Sequence, residues 1–332
     1  MKKFTVINLI HRPEGKVIKP ELFEVIQKKL PAVNSGEFLV KQTHMSLDPA
    51  MIGWMSSDTK SYMPPIKLGS VMRSSGIGVV VESKNTDFAV GDRVMGQMGW
   101  QEYLITNGKA INKVEVQLPD ETILSVLALP GLTATQGLLN IGKPKKGETI
   151  VVTGAGGAVG SIVGQLAKAK GLNVIGVVGS DEKADWIMSE LGFDGAINYK
   201  TEAFDSQLTK LTPDGIDLFY ENTGGFIQQL IIDRMNPHGR VIVCGLIADY
   251  GKAVPAAGPS WMNVIKRRLS IQGFTMTDHY KDIPSLLTKL TPYVVQGKIK
   301  HRSHIIEGLE SAITGLNLLF TGENRGKLIV KL

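Results

Sequence analysis

Residues 149–183 read TIVVTGAGGAVGSIVGQLAKAKGLNVIGVVGSDEK, and this stretch decides the fold. Ile150, Val151 and Val152 make a short β-branched run, the composition of a buried strand. The turn Gly154-Ala155-Gly156-Gly157-Ala158-Val159-Gly160 follows it. Over residues 161–170, Ile162, Val163, Leu166, Ala167 and Ala169 recur at helical spacing. Gly171 closes that helix, and VIGVV at 174–178 is the next strand. Strand, glycine turn, helix and strand in this order are the setting of a dinucleotide fingerprint. Glycines let the backbone turn tightly and approach a pyrophosphate. The helix N-terminus offers free N–H groups and a positive dipole end to that anion. The spacing departs from a strict GxGxxG, because Ala155 holds the first position. The run reads AxGxxG, or GxxGxxG through Gly154, Gly157 and Gly160. A purely structural glycine turn is the alternative, and the strand–helix–strand context favours the nucleotide site.

The far end of the unit selects the nucleotide. An NAD site usually carries Asp or Glu at the tip of the second strand, about 20 residues past the glycines, bonding the ribose 2′-hydroxyl. Here the tip is Gly179-Ser180, with Lys183 just beyond. A small residue leaves room for a 2′-phosphate and a nearby cation neutralises it. Asp181 and Glu182 are either that acid one position late or the start of the next helix, where acids suit the dipole. The second fits better, so the expected cofactor is NADP(H).

A chain of 332 residues exceeds one simple core and implies two domains. Its 37 glycines suit an α/β fold with many tight turns. The net charge of +6 comes without a basic stripe interleaved with aromatics, so nucleic-acid binding is not indicated. The densest basic patch, Lys266-Arg267-Arg268, reads as a solvated helix face or a phosphate-binding surface. Cys244 is the one cysteine, which precludes an intramolecular disulfide and suits a reducing compartment. The start, Met1-Lys2-Lys3-Phe4, is charged, and Asn8, His11 and Arg12 interrupt any apolar run of signal-peptide length. No stretch is expected to reach the roughly 20 apolar residues of a membrane span. The expectation is a cytoplasmic protein with no membrane partner.

The first 125 residues have a different texture. Short β runs at 5–9, 23–26, 37–41, 77–82, 93–96 and 102–105 are separated by Gly, Pro and Asp, the pattern of a barrel-like all-β domain. A less periodic segment, 46–72, is rich in Met, Pro and Ser and carries Met51, Trp54 and Tyr62. A loop this long in a compact domain is functional or disordered, and its aromatics and methionines favour a substrate-facing wall. Residues 124–139 are apolar and helical apart from Pro130-Gly131. Helices are expected at 181–191, 203–212, 226–235 and 283–296, alternating with strands at 196–199, 216–220, 240–245 and 270–274. This rhythm predicts a doubly wound parallel sheet. The tail, 326–332, is a strand that returns to the β-rich domain. Three strand ends sit where such sheets hold ligands: Asn222 with Gly224-Gly225, Cys244-Gly245 with Tyr250 beyond, and Phe274-Thr275-Met276. Each has a plain reading as turn or packing, and only their shared location lifts them.

These residues resemble the medium-chain dehydrogenase/reductase superfamily, and within it the zinc-free enone reductases: leukotriene B4 dehydrogenase/prostaglandin reductases, plant double-bond reductases and bacterial curcumin-reductase-like proteins. The likeness rests on Ser46-Leu47-Asp48-Pro49, Ser61-Tyr62-Met63-Pro64-Pro65, Pro130-Gly131-Leu132-Thr133-Ala134, the glycine loop, Asn198-Tyr199-Lys200, Glu221-Asn222-Thr223-Gly224-Gly225, Val243-Cys244-Gly245 and Glu323-Asn324-Arg325-Gly326. It implies a GroES-like β-barrel domain over 1–124, a Rossmann NADP(H)-binding domain over 125–298, and a return to the β-rich domain over 299–332. It also implies that Gly154, Gly157, Ala158, Val159 and Gly160 cradle the pyrophosphate. Ser180, Lys183 and Tyr199 take the 2′-phosphate side. Asn222, Cys244, Gly245, Tyr250, Phe274, Met276 and Asn324 line the cofactor, and Thr133 lies near the nicotinamide. Tyr62 and Tyr250 act at the reacting enone, and a homodimer is the family's assembly. Relatives often read Asp-Pro-Tyr-Met-Arg where this chain has Asp48-Pro49-Ala50-Met51-Ile52, and an Arg soon after where it has Trp54, so the pocket is altered.

Zinc-dependent relatives need Cys, His, Asp or Glu ligands, and a four-cysteine structural site is impossible with one cysteine. His44 is the best lone ligand candidate, and a satisfied, partly buried histidine is its other reading. Without a Lewis acid, hydride addition to a polarised, conjugated C=C needs least help, since the product enolate requires only hydrogen-bond donors. The expected activity is NADPH-dependent reduction of the C=C bond of α,β-unsaturated ketones or aldehydes. An NADPH:quinone oxidoreductase and a non-catalytic nucleotide-binding scaffold are the alternatives.

Overall fold

The computed structural model describes residues 3–201, 203–252 and 254–332; Met1 and Lys2 of the charged start lie outside them. The chain divides into two compact units. One runs to Leu124 and takes up Ser303–Asn324 and Leu328–Leu332; the other is Ser125–Arg302 with Arg325–Lys327. In chain order the first unit's strands are β1 (Lys3–Leu9), β2 (Phe23–Lys29), β3 (Phe38–Ser46), β4 (Ser70–Val71), β5 (Ser75–Ser83), β6 (Arg93–Gln97), β7 (Tyr103–Thr106) and β8 (Ile111–Lys113). The second unit supplies β9 (Thr149–Thr153), β10 (Asn173–Val178), β11 (Gly195–Asn198), β12 (Ile216–Glu221), β13 (Met235–Val243) and β14 (Ser270–Gly273). Two late strands follow, β15 (Ser303–Glu307) and β16 (Lys327–Lys331).

In the first unit, β2-β1-β4 form one antiparallel sheet, in register from Lys3 opposite Lys29 to Leu9 opposite Phe23. A larger sheet runs β15-β16-β3-β5-β6-β8, with β7 also paired to β3. The tail strand β16 lies antiparallel to β3, Ile329 opposite Ser46. Phe38, Val40, Val80, Val94, Met98 and Ile111 make one apolar core here, with Phe88 stacked on Phe38. The strands β4, β8 and β15 are absent from the sequence reading. Two or three residues carry no detectable alternation, and β15 shows one buried side too weakly.

In the second unit, β9 to β14 form a parallel sheet in the order β11-β10-β9-β12-β13-β14. The chain winds outward from β9 through β10 to β11, then restarts beside β9 at β12. The switch point therefore lies between β9 and β12, where open α/β sheets hold ligands beyond their carboxyl ends. Val151, Ile175, Phe219 and Val241 are at most 2% exposed, and residues of that size contribute about 1.5–3 kcal/mol each when buried. The strand β13 starts at Met235, five residues before the sequence reading places it. Within its first half His238 takes a positive φ, and the pairing with β12 shifts register between Ile216 and Leu218.

Residues 120–142 correct two expectations. The break falls at Ala128, which is extended, and not at Pro130-Gly131: Pro130 sits in the first turn of the helix Leu129–Thr135, where its missing N–H costs nothing. Gly131 is required there, since a Cβ would lie 1.7 Å from the Val126 carbonyl oxygen. The flanking stretches Ile123–Leu127 and Gln136–Gly142 are π-helical. The whole run, Asp120–Gly142, is also long and apolar enough to cross a membrane by length and composition, contrary to the sequence reading. Its apolar window is 78% buried within the protein, as a core helix is.

Candidate functional site

The glycine loop leaves β9 at Thr153 and enters the helix Ala158–Ala169. That helix begins three residues earlier than its apolar spacing suggests, because Ala158, Val159 and Gly160 form its first turn. Gly157 is the N-cap, with φ −90° and no side-chain bond, so the first N–H groups of the helix have no side-chain acceptor at the cap. Gly154 has φ +60°. Its carbonyl oxygen accepts from the Gly157 N–H at 2.9 Å, closing the turn. A Cβ on Gly156 would lie 3.1 Å from Lys183 Cδ, so the lysine stem lies across the loop.

At the tip of β10, Ser180 caps the helix Asp181–Ser189, its hydroxyl accepting from the Lys183 N–H at 3.3 Å. Asp181 and Glu182 are thus first-turn acids, the second of the two sequence readings. Lys183 is half-buried. Burial pushes its ammonium down from the ordinary lysine range, Lys200 and Arg325 push the same way, and Glu182 opposes them. Arg325 pairs with Glu182 at 3.2 Å. The segment carrying Arg325 bridges to the loop, Gly326 pairing in parallel with Gly157. The Tyr199 ring and the Lys200 stem both lie beside Gly179. Lys183, Lys200 and Arg325 therefore gather with Tyr199 at one end of the loop. Sequence reading found Lys183 and Tyr199. It passed over the charge of Lys200 and Arg325, which only the fold brings to β10.

The ends of β12 and β13 meet the loop from the other side. Asn222 donates from Nδ2 to the Thr153 carbonyl oxygen at 2.8 Å. A Cβ on Gly154 would lie 3.4 Å from Asn222 Cβ, and one on Gly245 would lie 3.2 Å from the Tyr250 hydroxyl. Gly154, Asn222, Gly245 and Tyr250 are thus close neighbours. The Cys244 thiol is pushed up to about 12 by burial, with Glu221 adding to the effect and a hydrogen bond with Tyr220 opposing it. Burial likewise holds the Tyr220 phenol well above its usual range. Both stay neutral. Tyr220 donates to the Thr133 carbonyl oxygen at 3.0 Å, and the missing side chain of Gly137 makes room for its ring. Thr133 itself spends its hydroxyl on the Leu129 carbonyl at 2.7 Å. Phe274 and Met276 pack with Leu132 and Leu286, and Met276 is only 6% exposed.

The remaining expected site residues lie in the first unit. The segment 46–72 contains a one-turn helix, Met51–Met55, that buries Met51, Ile52, Trp54 and Met55. The Ile66 N–H bonds the Trp54 carbonyl at 2.8 Å, and Arg12 bonds the Met55 carbonyl at 2.8 Å. Met51 has 0% exposure and so presents no surface to a ligand. Trp54 is buried, with Arg73 lying over its ring. Tyr62 is 55% exposed. Asn324 is buried at the end of the C-terminal helical segment. His44 lies between two carboxylates, Nδ1 at 3.2 Å from Asp120 and Nε2 at 3.3 Å from Glu121. The carboxylates flank opposite ring nitrogens, so the three groups do not converge on one ion. Asp120 also pairs with Arg93.

Two family models match the chain, the N-terminal domain of oxidoreductase over residues 5–114 and the zinc-binding dehydrogenase model over residues 158–291. The chain is 38% identical to the NADPH-dependent curcumin reductase of Escherichia coli (strain K12) over 97% of its length and 95% of that protein's. The chain belongs to the medium-chain dehydrogenase/reductase superfamily. This medium-chain dehydrogenase/reductase is also 39% identical to prostaglandin reductase 1 of Bos taurus, over 93% of each chain. Its structure matches that of CurA from Vibrio vulnificus in complex with NADPH at a TM-score of 0.93, with 36% identity and 98% of each chain covered. It is an oxidoreductase of that superfamily, with the doubly wound sheet and the β-rich part that the sequence resemblance implied.

Proposed function

We propose that this protein uses NADPH to reduce the C=C bond of α,β-unsaturated ketones and aldehydes without zinc. The cofactor half rests on one observation. Lys183, lying against Gly156, Lys200, beside Gly179, and Arg325, paired with Glu182 of the next helix, bring three cations to the tip of β10, where a 2′-phosphate dianion finds charge-assisted partners. The substrate half rests on likeness to the curcumin and prostaglandin reductases. The site residues are those expected from the sequence, Met51 excepted, with Lys200 and Arg325 added. Gly157 to Gly160 face the pyrophosphate, Lys183, Tyr199, Lys200 and Arg325 face the 2′-phosphate, and Asn222, Tyr250 and Thr133 face the rest of the cofactor.

When bound, NADPH supplies the hydride that the β-carbon of the conjugated substrate accepts. Tyr250, Tyr62 and the ribose hydroxyl of the bound cofactor are the groups we propose to stabilise or protonate the enolate. Trp54 backs the segment that carries Tyr62. His44, held by Asp120 and Glu121, is a structural group of the β-rich unit.

We also place the protein in the cytoplasm as a homodimer. The strand β14 is an edge with all four residues exposed. Beside it in sequence, the helix Trp261–Arg267 exposes Trp261, Met262 and Ile265 at 71%, 56% and 69%. Pairing β14 with its copy satisfies the open edge and covers those side chains. Light scattering on wild type and on Ile265→Asp tests this, and a wild-type monomer would end it.

The experiment for the activity is NADPH oxidation against a panel of enals, enones and quinones with product analysis. Saturated ketone or aldehyde products support the proposal. Turnover confined to quinones replaces it with the quinone reading, and NADPH binding without any turnover replaces it with a scaffold.

A further inference from the structure

We propose that Glu221 is a positioning residue for the cofactor site: its carboxylate and its backbone carbonyl together fasten three strand-end loops into one seat. The inference rests on the reading of those loops as the NADPH site.

Glu221 is the last residue of β12 and is fully buried. One carboxylate oxygen, Oε1, accepts three hydrogen bonds, from Thr153 Oγ1 at 2.6 Å, from the Thr223 N–H at 2.6 Å and from the Gly224 N–H at 3.0 Å. Thr153 ends β9 and immediately precedes Gly154. Its hydroxyl accepts in turn from the Asn222 N–H at 2.8 Å, so a relay runs from Asn222 through Thr153 to Glu221. The backbone oxygen of Glu221 accepts from the N–H groups of Cys244 and Gly245, at 2.9 and 3.1 Å. The loops after β9, β12 and β13 thus share one anchor, at the switch point of the sheet. Two further bonds extend the third loop toward Tyr250. The Ile247 N–H reaches the Asn222 carbonyl at 3.3 Å, and the Ala248 N–H reaches the Thr223 carbonyl at 2.8 Å.

The chemistry calls for an acceptor of this kind. Gly224 and Gly225 both have positive φ, +74° and +73°, which turns the N–H groups of the β12 loop inward. Buried N–H groups need acceptors, and no strand partner is available at the end of a sheet. A side-chain oxygen that takes three donors meets the need and ties the loop to β9 at the same time. The neighbouring Asn222 side chain is then fixed on the Thr153 carbonyl, beside Gly154.

Three variants test the inference: Glu221→Gln, which keeps an acceptor oxygen, Glu221→Leu, which removes it, and Thr153→Val, which cuts the relay with little change of shape. The readouts are the Kd for NADPH and for NADH by cofactor fluorescence, KM and kcat, and the Tm without cofactor. Glu221→Leu and Thr153→Val are each expected to raise the NADPH Kd about tenfold, with Glu221→Gln within about threefold of wild type. The double variant Thr153→Val/Glu221→Leu is expected to be no worse than Glu221→Leu, because both cut one link. Should Glu221→Leu fail to fold, Thr153→Val against Glu221→Gln decides alone. Wild-type cofactor affinity in Thr153→Val, with only Tm lowered, reduces Glu221 to a fold-stabilising group and overturns the inference. Wild type that binds neither NADPH nor NADH instead overturns the cofactor reading beneath it.

Discussion

A Cβ on Gly160 would lie 2.4 Å from the carbonyl oxygen of Gly154 and 2.8 Å from its carbonyl carbon. The first helical turn crosses the strand exit at a distance only glycine permits. Gly160→Ala must therefore push the helix N-terminus away from the loop, a strain of about 1–3 kcal/mol. Both Tm and NADPH affinity are expected to fall. At Gly157 the same change meets one atom at 3.1 Å with φ −90°, so Gly157→Ala should be milder in Tm. Equal melting of wild type and Gly160→Ala would contradict the close crossing.

Lys183 is flanked by two more cations, so each removal is expected to weaken NADPH and spare NADH. Lys183→Ala should raise the KM for NADPH by about 10- to 100-fold, the size of a charge-assisted bond to phosphate. Arg325→Ala should have a smaller effect, since Arg325 is exposed and also engaged with Glu182. Steady-state kinetics with both cofactors checks the pair. A wild-type preference for NADH would sink the 2′-phosphate assignment.

Tyr62→Phe and Tyr250→Phe each delete one phenol hydroxyl. If the two donors share the enolate, each variant is expected to lose about tenfold or more in kcat with little change in NADPH KM, the mark of an interaction made in the transition state. Unchanged kcat in both would move the proton source elsewhere. Met51→Leu, by contrast, is expected to leave substrate KM alone and register only in Tm, as a buried, volume-conserving exchange does.

The Asp120 carboxyl is held down at about 2 by hydrogen bonds from His44 first, then Arg93 and Thr43. Its folded value lies below the unfolded 3.8, so the stability it contributes is present above pH 3.8 and lost as pH falls toward 2. Partial exposure screens the pair, leaving about 1 kcal/mol. Asp120→Asn should be less stable than wild type by that amount at neutral pH, and denaturant midpoints of the two should converge below pH 3. A gap that stays constant into acid would assign the loss to shape rather than charge.

The first two strands of the parallel sheet were legible because β9 and β10 are β-branched runs each followed by glycine, and residues 149–183 carry that pattern. The ends of elements were less so. Helix Ala158–Ala169 begins with Ala158 and Val159, which look like turn residues until Gly160 is seen to need its close approach. In the 120–142 run the break comes at Ala128, two residues before Pro130, because Pro130 falls at a helix start that no periodicity marks. In the site, Lys183 was readable because it lies near β10 in sequence. Arg325 is 142 positions further on and Glu221 is an ordinary strand-end acid, and only folding gives them neighbours. Met51 is ambiguous in the sequence because methionine serves packing and ligand walls equally well, and exposure alone separates the two.

The cation group at the tip of β10 has a thermodynamic corollary. A 2′-phosphate is the same in the reduced and the oxidised cofactor and lies far along the molecule from the nicotinamide. As the 2′-phosphate partners proposed above, Lys183, Lys200 and Arg325 would hold both redox forms equally and lend nothing to the barrier of hydride transfer. What they choose is the reservoir the enzyme is connected to. The direction of net turnover then follows the reduced-to-oxidised ratio of the phosphorylated nicotinamide pool, a quantity set outside the protein and admitted through three side chains.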